Sequence, residues 1–130
     1  MTRRQQVLNG LNAWQRQQFE YGVADCCQFA AHMVKALGGP DYAADFEYES
    51  ESQAAEILAK HGGLRGFVRS ILGPCTDDLQ DGDPVICQLP VMGDAMGVML
   101  DGNAIVITEK GMIKIKDNHI VMGWAVCRKQ

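Results

Sequence analysis

The sequence predicts an α+β fold, in which N-terminal helices pack on a C-terminal antiparallel sheet of about five strands. Apolar residues recur at intervals of three and four up to residue 72, and they alternate with a period of two after residue 83. Helices and strands segregated in this way indicate an α+β fold rather than a doubly wound parallel sheet. A chain of 130 residues has the usual length of one domain, so residues 1–130 are expected to share one core.

Four helices are expected in the first half, at residues 2–18, 26–37, 52–60 and 64–72. Thr2, Asp25 and Ser52 are the expected N-caps, because their side-chain oxygens accept hydrogen bonds from the first turn. Gly10 weakens the first helix by up to about 1 kcal/mol, so packing has to hold it. In the third helix the residues expected to face inward are Ala55, Leu58 and Ala59. The acidic segment 41–51 is expected to be a loop that packs by its aromatic rings, Tyr42, Phe46 and Tyr48.

Five strands are expected in the second half, at residues 84–89, 95–100, 104–108, 112–116 and 120–127. Pro84 suits the first position of a strand, where a missing N–H is tolerated. Asp101-Gly102-Asn103 is a tight hairpin signal, and the strands are expected to follow one another as a meander. Most of the methionines in this half are expected in the core, among them Met92, Met96, Met99, Met112 and Met122.

Composition excludes several classes of partner. The net charge is −4, from 12 basic and 16 acidic side chains, which argues against nucleic acid because duplex binding needs clustered Lys and Arg. No stretch approaches the ~20 apolar residues of a membrane span. No apolar segment follows the basic pair Arg3–Arg4, so we expect no signal peptide and a reducing compartment.

The five cysteines fit no closed disulfide framework, because their number is odd. Cys75, Cys87 and Cys127 are expected to be small buried hydrophobic residues. The spacing of cysteine and histidine predicts no metal site, and no phosphate loop or dinucleotide fingerprint predicts a cofactor.

Cys26 is the candidate nucleophile. It follows the N-cap Asp25 and therefore lies at a helix start, where unpaired N–H groups and the helix dipole favour a thiolate. A thiol in this position has a lowered pKa and increased reactivity. The alternative from the residues alone is a buried cysteine that only packs against the sheet. The side chains of Cys26 and Cys27 are expected to diverge on the helix, which disfavours a disulfide between them.

Three segments resemble the NlpC-like cysteine peptidases, a papain-like group that acts on cell walls. Tyr21-Gly22-Val23-Ala24-Asp25-Cys26-Cys27-Gln28 resembles the segment in which a glycine leads to Asp-Cys-Ser-Gly and a helix. Gly82-Asp83-Pro84-Val85-Ile86 resembles the Gly-Asp-Leu-Val-Phe strand opening, and Ala95-Met96-Gly97-Val98 resembles the start of the His-Val-Gly-Ile-Tyr hairpin. The resemblance implies that Cys26 holds the nucleophile position within a fold of helices followed by a sheet.

The same resemblance implies that the catalytic base is missing. The histidine position falls on Ala95, and the third, polar position falls near Val106 to Thr108, again without a histidine. Cys27 replaces the usual serine. A thiol without its base loses the activation of its attack and the acid that protonates the leaving amine, which argues against peptidase activity.

Three histidines are candidates for a substitute base. His119 is expected to open the last strand and is the one that the sheet could bring near Cys26; a surface turn residue is the alternative. His32 lies on the same helix as Cys26 but about 9 Å further along its axis. His61 is expected to act as a cation at a helix C-terminus.

A narrower resemblance is to small proteins of tailed bacteriophages. The Asp25-Cys26-Cys27 helix start, the aromatic loop, the Gly62-Gly63 break and Ala95-Met96-Gly97 are similar to products encoded among tail genes. This implies a structural or assembly protein of the tail tip or baseplate, made in the host cytoplasm and then carried in the virion tail. The implied partners are other tail proteins of the hub or tip, and peptidoglycan. The alternatives are an active cysteine hydrolase of peptidoglycan peptides and a host-side binding module.

Overall fold

The computed structural model describes residues 1–15, 17–22, 24–44 and 46–128. Within these ranges the chain forms four α-helices followed by a five-stranded antiparallel sheet, which confirms the α+β prediction. The helices are α1 Arg3–Trp14, α2 Cys26–Ala36, α3 Glu51–Ala59 and α4 Gly63–Leu72. The strands are β1 Pro84–Leu89, β2 Gly93–Leu100, β3 Asn103–Thr108, β4 Gly111–Ile115 and β5 Ile120–Gly123. None of the helices in the described ranges is long and apolar enough to cross a membrane.

The strand order is β4-β3-β2-β1-β5, so only the first four strands form the predicted meander. The last strand crosses to the far edge and pairs with β1, with Cys87 opposite Ile120 and Val85 opposite Gly123. It also ends four residues earlier than predicted. Beyond Gly123 the backbone N–H of Val126 donates to the Asp83 carboxylate at 3.1 Å, so a side chain replaces a strand as its partner.

The helices cover one face of the sheet. Phe29 and Met33 of α2 pack in one buried cluster with Ile86 and Val98 of the sheet. α1 lies close to α2 at Gly10, where an added Cβ would come within 2.9 Å of the Met33 side chain. The glycine that weakens this helix is therefore what allows the close approach of the two helices.

The opposite face of the sheet forms a second buried cluster, which includes Val85, Cys87, Ala95, Met99 and Val106. The side chain of Cys26 packs against this cluster as well as against the helix-side cluster. The start of α2 therefore lies where the two faces of the sheet can both be reached.

Two helix starts show why capping decides the boundary. α1 begins as predicted, because the Thr2 hydroxyl accepts the Gln5 N–H at 3.1 Å and the Gln5 side chain accepts the Thr2 N–H at 2.9 Å. The Ser52 prediction for α3 is wrong, since Ser50 is the N-cap and accepts the Gln53 N–H at 3.2 Å. The Ala55 and Ala59 side chains, expected inward, are exposed, because α3 packs mainly on α4 through its other side.

The helix ends also differ from the prediction. α1 ends at Trp14 instead of Gln18, because the Gln17 N–H donates to the Trp14 carbonyl in a tighter turn. α2 ends at Ala36, one residue before the predicted end.

The predicted core holds for some sulfur-containing side chains and not for others. Cys87 is fully buried as predicted, but Cys75 is exposed and Cys127 is half-buried, because both lie in loops that follow the last residue of a helix or strand. Of the methionines expected in the core of the second half, Met96, Met99 and Met122 are buried and Met112 is half-buried. Met92 is exposed at the β1–β2 turn, next to the fully exposed Val91.

A buried carboxylate ties both ends of the described chain to the sheet. Asp83 has no exposed surface, and its two oxygens accept from Arg3 Nη2 at 2.8 Å and from Arg128 Nη2 at 2.6 Å. The backbone N–H groups of Gln80 and Val126 complete its hydrogen bonds. This cluster, called the Asp83 clamp below, fixes the entry to β1.

Candidate functional site

The start of α2 is fixed by a buried N-cap. Asp25 is 3% exposed, and its Oδ1 accepts the Gln28 N–H at 2.9 Å, which confirms the predicted cap. Its Oδ2 accepts the Gly22 N–H at 2.8 Å and the hydroxyl of Tyr48. One carboxylate therefore joins the helix, the preceding loop and the aromatic loop.

The loop before α2 is pressed against the aromatic loop. Gly22 has a φ of +84°, and a Cβ at this residue would lie 1.9 Å from the Tyr48 carbonyl oxygen. Only glycine fits, because the backbone conformation disfavours other residues and the space is already filled. A pair of backbone hydrogen bonds between Glu20 and Ala24 closes the loop.

Tyr48 is a hydrogen-bond donor at this site. Burial raises the pKa of Tyr48 most, and the hydrogen bond to Asp25 and the charge of that carboxylate raise it further, so the hydroxyl stays protonated in neutral solution. Phe46 packs beside it, with ring centroids 4.5 Å apart. The sequence predicted that this loop packs by its aromatic rings. It did not predict the hydrogen bond between Tyr48 and Asp25, because these residues are 23 positions apart and such a contact leaves no periodic signal.

Cys26 is the first residue of α2 and is half-buried. The neighbouring thiol of Cys27 is the largest influence on the pKa of Cys26, and the backbone N–H groups of Met96 and of Cys26 itself act in the same direction. These donors lower the pKa of Cys26, although burial and the Asp25 carboxylate act in the opposite direction. The site thus favours a thiolate through thiol and backbone donors.

The thiol of Cys27 behaves in the opposite way. The interaction with Cys26 and burial raise the pKa of Cys27 well above the usual range, so this thiol stays protonated.

The sheet presents an apolar wall to Cys26. Ala95 and Cys87 face each other across β1 and β2, and both belong to the buried cluster on which Cys26 packs. Burial and the neighbouring Cys26 raise the pKa of Cys87 to about 11. Val106, near the position expected for a third polar residue, has no exposed surface. The positions that the family resemblance assigns to the base and its partner therefore hold no proton acceptor.

The histidines have other surroundings. His119 ends a short 3-10 turn, Asp117–His119, just before β5, and is half-buried. In the described part of the chain no imidazole is among the main groups that shift the pKa of Cys26. His32 stacks on Trp14 with centroids 5.4 Å apart, and His61 is exposed. The structure brings Asp25 and Cys26 together but joins His119 to neither by a hydrogen bond within the described residues.

Two concave regions lie near the thiols. A small apolar cavity of about 40 Å³ is bounded by Cys27, Phe46, Phe67 and Met96. A larger groove of about 630 Å³ runs between residues 17–21 and the turn 109–111, and Tyr21 forms part of its wall. Burial is the largest cause of the raised pKa of Tyr21, and the charges of Glu51, Glu109 and Cys26 raise it further.

The described residues hold no group of three or more His, Cys, Asp or Glu side chains placed to bind a metal ion. Comparison with protein families gives a match to a domain of unknown function, DUF6950, over residues 2–126. No curated protein matches the chain.

Proposed function

The chain belongs to DUF6950, a domain family of unknown function, and from its geometry we propose that it is a catalytically inactive NlpC-like domain. In this proposal it serves as a structural or assembly protein at a bacteriophage tail tip or baseplate. It is made in the host cytoplasm, and its partners are other tail proteins of the hub or tip.

The observation that carries the inactive assignment is a nucleophile position without a base. Cys26 keeps the helix start, the Asp25 cap and the Met96 N–H that favour a thiolate. Ala95 occupies the position of the histidine and is 5% exposed, so no water-filled space replaces the missing imidazole there. Peptide cleavage needs an acid to protonate the leaving amine, and a thiolate alone does not supply one.

The assignment to a phage tail is supported by the motifs, not by the geometry. Asp25-Cys26-Cys27, the aromatic loop and Ala95-Met96-Gly97 together resemble small proteins encoded among tail genes. The groove beside Tyr21 offers a place for an extended segment of a partner. Its volume lies within the range of ligand-binding sites, about 300 to 1,000 Å³.

A deletion and complementation experiment tests this function in a phage that carries the coding sequence. Without the protein, electron microscopy should show particles with incomplete or absent tails. Expression of Cys26→Ala should restore complete tails as well as the wild type does, and Cys75→Ala, which alters an exposed thiol elsewhere, is the matched control. Normal tails in the deletion strain would contradict the structural role.

The second candidate is an active cysteine hydrolase of peptidoglycan peptides. The lowered pKa of Cys26 favours it, and His119 would have to act as the base. Purified protein incubated with defined muropeptides should then release cleaved stem peptides, and both Cys26→Ala and His119→Gln should abolish release. Under the inactive assignment, none of the three proteins releases product.

A further inference from the structure

We propose that the free edge of β4 binds an extended acidic segment of a partner protein, which adds to the sheet as a further strand. β4 lies at one end of the strand order and pairs with β3, from Gly111 opposite Thr108 to Ile115 opposite Ala104. β5 lies at the other end, and the two edges differ in what covers them. The proposal does not depend on the function proposed above, because it concerns the backbone and the side chains of β4.

The edge at β5 is already occupied by the loop that follows α4. The backbone N–H of Thr76 donates to the Gly123 carbonyl at 2.8 Å, and the indole N–H of Trp124 donates to the Gly73 carbonyl at 2.8 Å. Leu79 packs so closely that a Cβ added at Gly123 would lie 2.6 Å from its side chain. A partner strand would have to displace these contacts to reach β5.

The edge at β4 has no such cover in the part of the chain that the structure describes. Apart from the pairing with β3, residues 111–115 make no backbone–backbone hydrogen bond to another described residue. Alternate N–H and C=O groups of an edge strand point away from its neighbour and form a template for a further strand. A peptide that adds to such an edge gains main-chain hydrogen bonds, and its alternate side chains give the specificity.

Lysines give this edge a positive charge on a protein whose net charge is −4. Lys110, Lys114 and Lys116 are all exposed, and none of them belongs to a salt bridge among the described residues. Side chains alternate along a strand, so Lys114 lies on the same side as Met112, which packs against the helix-side cluster. Lys116 continues that side in extended backbone conformation.

Charge decides which strand fits this edge. Opposite charges on neighbouring strands favour pairing and like charges oppose it. A second copy of β4 would add its own lysines to the same edge, so self-association is disfavoured. A segment with alternate acidic residues would instead place carboxylates beside Lys114 and Lys116. Its end would reach the groove described above, because Lys110 and Gly111 form one wall of that groove.

Peptide titration followed by NMR tests the proposal on the purified chain. The probe is a heptapeptide of alternating glutamate and threonine, and the controls are its lysine-for-glutamate counterpart and its fully N-methylated form. The glutamate peptide should shift the amide signals of β4 and slow their hydrogen exchange, while the amides of β5 stay unchanged. The lysine peptide should bind about tenfold more weakly because of its charge. The N-methylated peptide should also bind about tenfold more weakly, because it cannot donate main-chain hydrogen bonds to the edge.

Variants assign the binding to the lysines of the edge. The double variant Lys114→Glu/Lys116→Glu should lose about tenfold in affinity for the glutamate peptide and should prefer the lysine peptide. Lys60→Glu changes an exposed lysine at the end of α3 and should bind like the wild type, and circular dichroism checks that both variants are folded.

Four results would each overturn the proposal. The first is equal binding of the three peptides or no change in the β4 amides, and the second is an unchanged preference in the double variant. The third is binding of a thymidine oligonucleotide as tight as that of the glutamate peptide, which would indicate a general anion site. The fourth is a wild-type dimer that protects the β4 amides, because a second copy would then occupy the edge.

Discussion

Two buried aspartates organise this molecule in different ways. Asp83 receives two guanidinium groups and two backbone N–H groups, and it ties Arg3 and Arg128 to the start of β1. Asp25 receives two backbone N–H groups and the Tyr48 hydroxyl, and no cation pairs with it among the described residues. The first carboxylate is neutralised by opposite charge, while the second is satisfied by hydrogen bonds alone.

The difference between Asp83 and Asp25 indicates which region of the chain can support chemistry. At the Asp83 clamp the charges are paired and hydrogen-bonded, so the cluster holds the fold together. At Asp25 the negative charge opposes the thiolate of Cys26, and the donors of Cys27 and Met96 have to outweigh it. We therefore expect the site at α2 to contribute less to the stability of the fold than the clamp does.

The largest expected effect tests the clamp. Asp83→Asn leaves two arginines near an uncharged side chain, and removal of one partner of a buried ion pair typically costs about 3–5 kcal/mol. Urea unfolding should show a loss of this size. The exposed Asp77 provides the control, since Asp77→Asn should change the free energy of unfolding by less than about 0.5 kcal/mol. A small loss for Asp83→Asn would remove the contrast between the two aspartates.

The next effect concerns the helix cap. Asp25→Ala leaves the N–H groups of Gly22 and Gln28 and the Tyr48 hydroxyl without their acceptor. Loss of a cap and of a buried acceptor together should destabilise the protein by about 2–3 kcal/mol. Asp25→Asn keeps a good capping residue and should cost less. Equal losses in the two variants would show that the cap itself contributes little.

A smaller loss of stability is expected when only the Tyr48 hydroxyl is removed. Tyr48→Phe removes one hydrogen bond and should cost about 1 kcal/mol in urea unfolding. Tyr42→Phe is the control, because Tyr42 lies in the same loop but is not bonded to Asp25.

The same variant gives a pH signature. Burial raises the pKa of Tyr48 in the folded state, so its stabilising contribution is full below the unfolded pKa of about 10 and is lost as the pH rises above it. The stability difference between wild type and Tyr48→Phe should therefore shrink above that pH. A difference that grows there would contradict the assigned burial.

Much of the fold followed from local signals. Asp25 and the glycines after α2 marked that helix to within one residue, and β1 has the predicted bounds. The placement of β5 next to β1 did not follow, because pairing between distant strands leaves no trace in periodicity. The Ser52 error has a simpler cause, since Ser50 is an equally good cap two residues earlier and only the hydrogen bond to Gln53 distinguishes them.

The site was predictable only in part. The sequence indicated Cys26 at a helix start and an alanine in the histidine position, because both depend on local order and on resemblance. The Met96 N–H, which contributes to the lowered pKa of Cys26, belongs to a strand about 70 residues away, so it left no local pattern. Whether the protein acts in a phage tail stays a prediction.

The central claim is that Cys26 ionises through thiol and backbone donors, without an imidazole. The direct measurement is the rate at which iodoacetamide alkylates Cys26 as a function of pH. Trypsin cleaves after Arg16 and Lys35, and fragmentation of the resulting peptide, residues 17–35, locates the alkylated cysteine. The account predicts one ionisation below the ordinary cysteine value of about 8.5, with the same midpoint in His119→Gln. A midpoint above the ordinary cysteine value, or a second ionisation that disappears in His119→Gln, would contradict it.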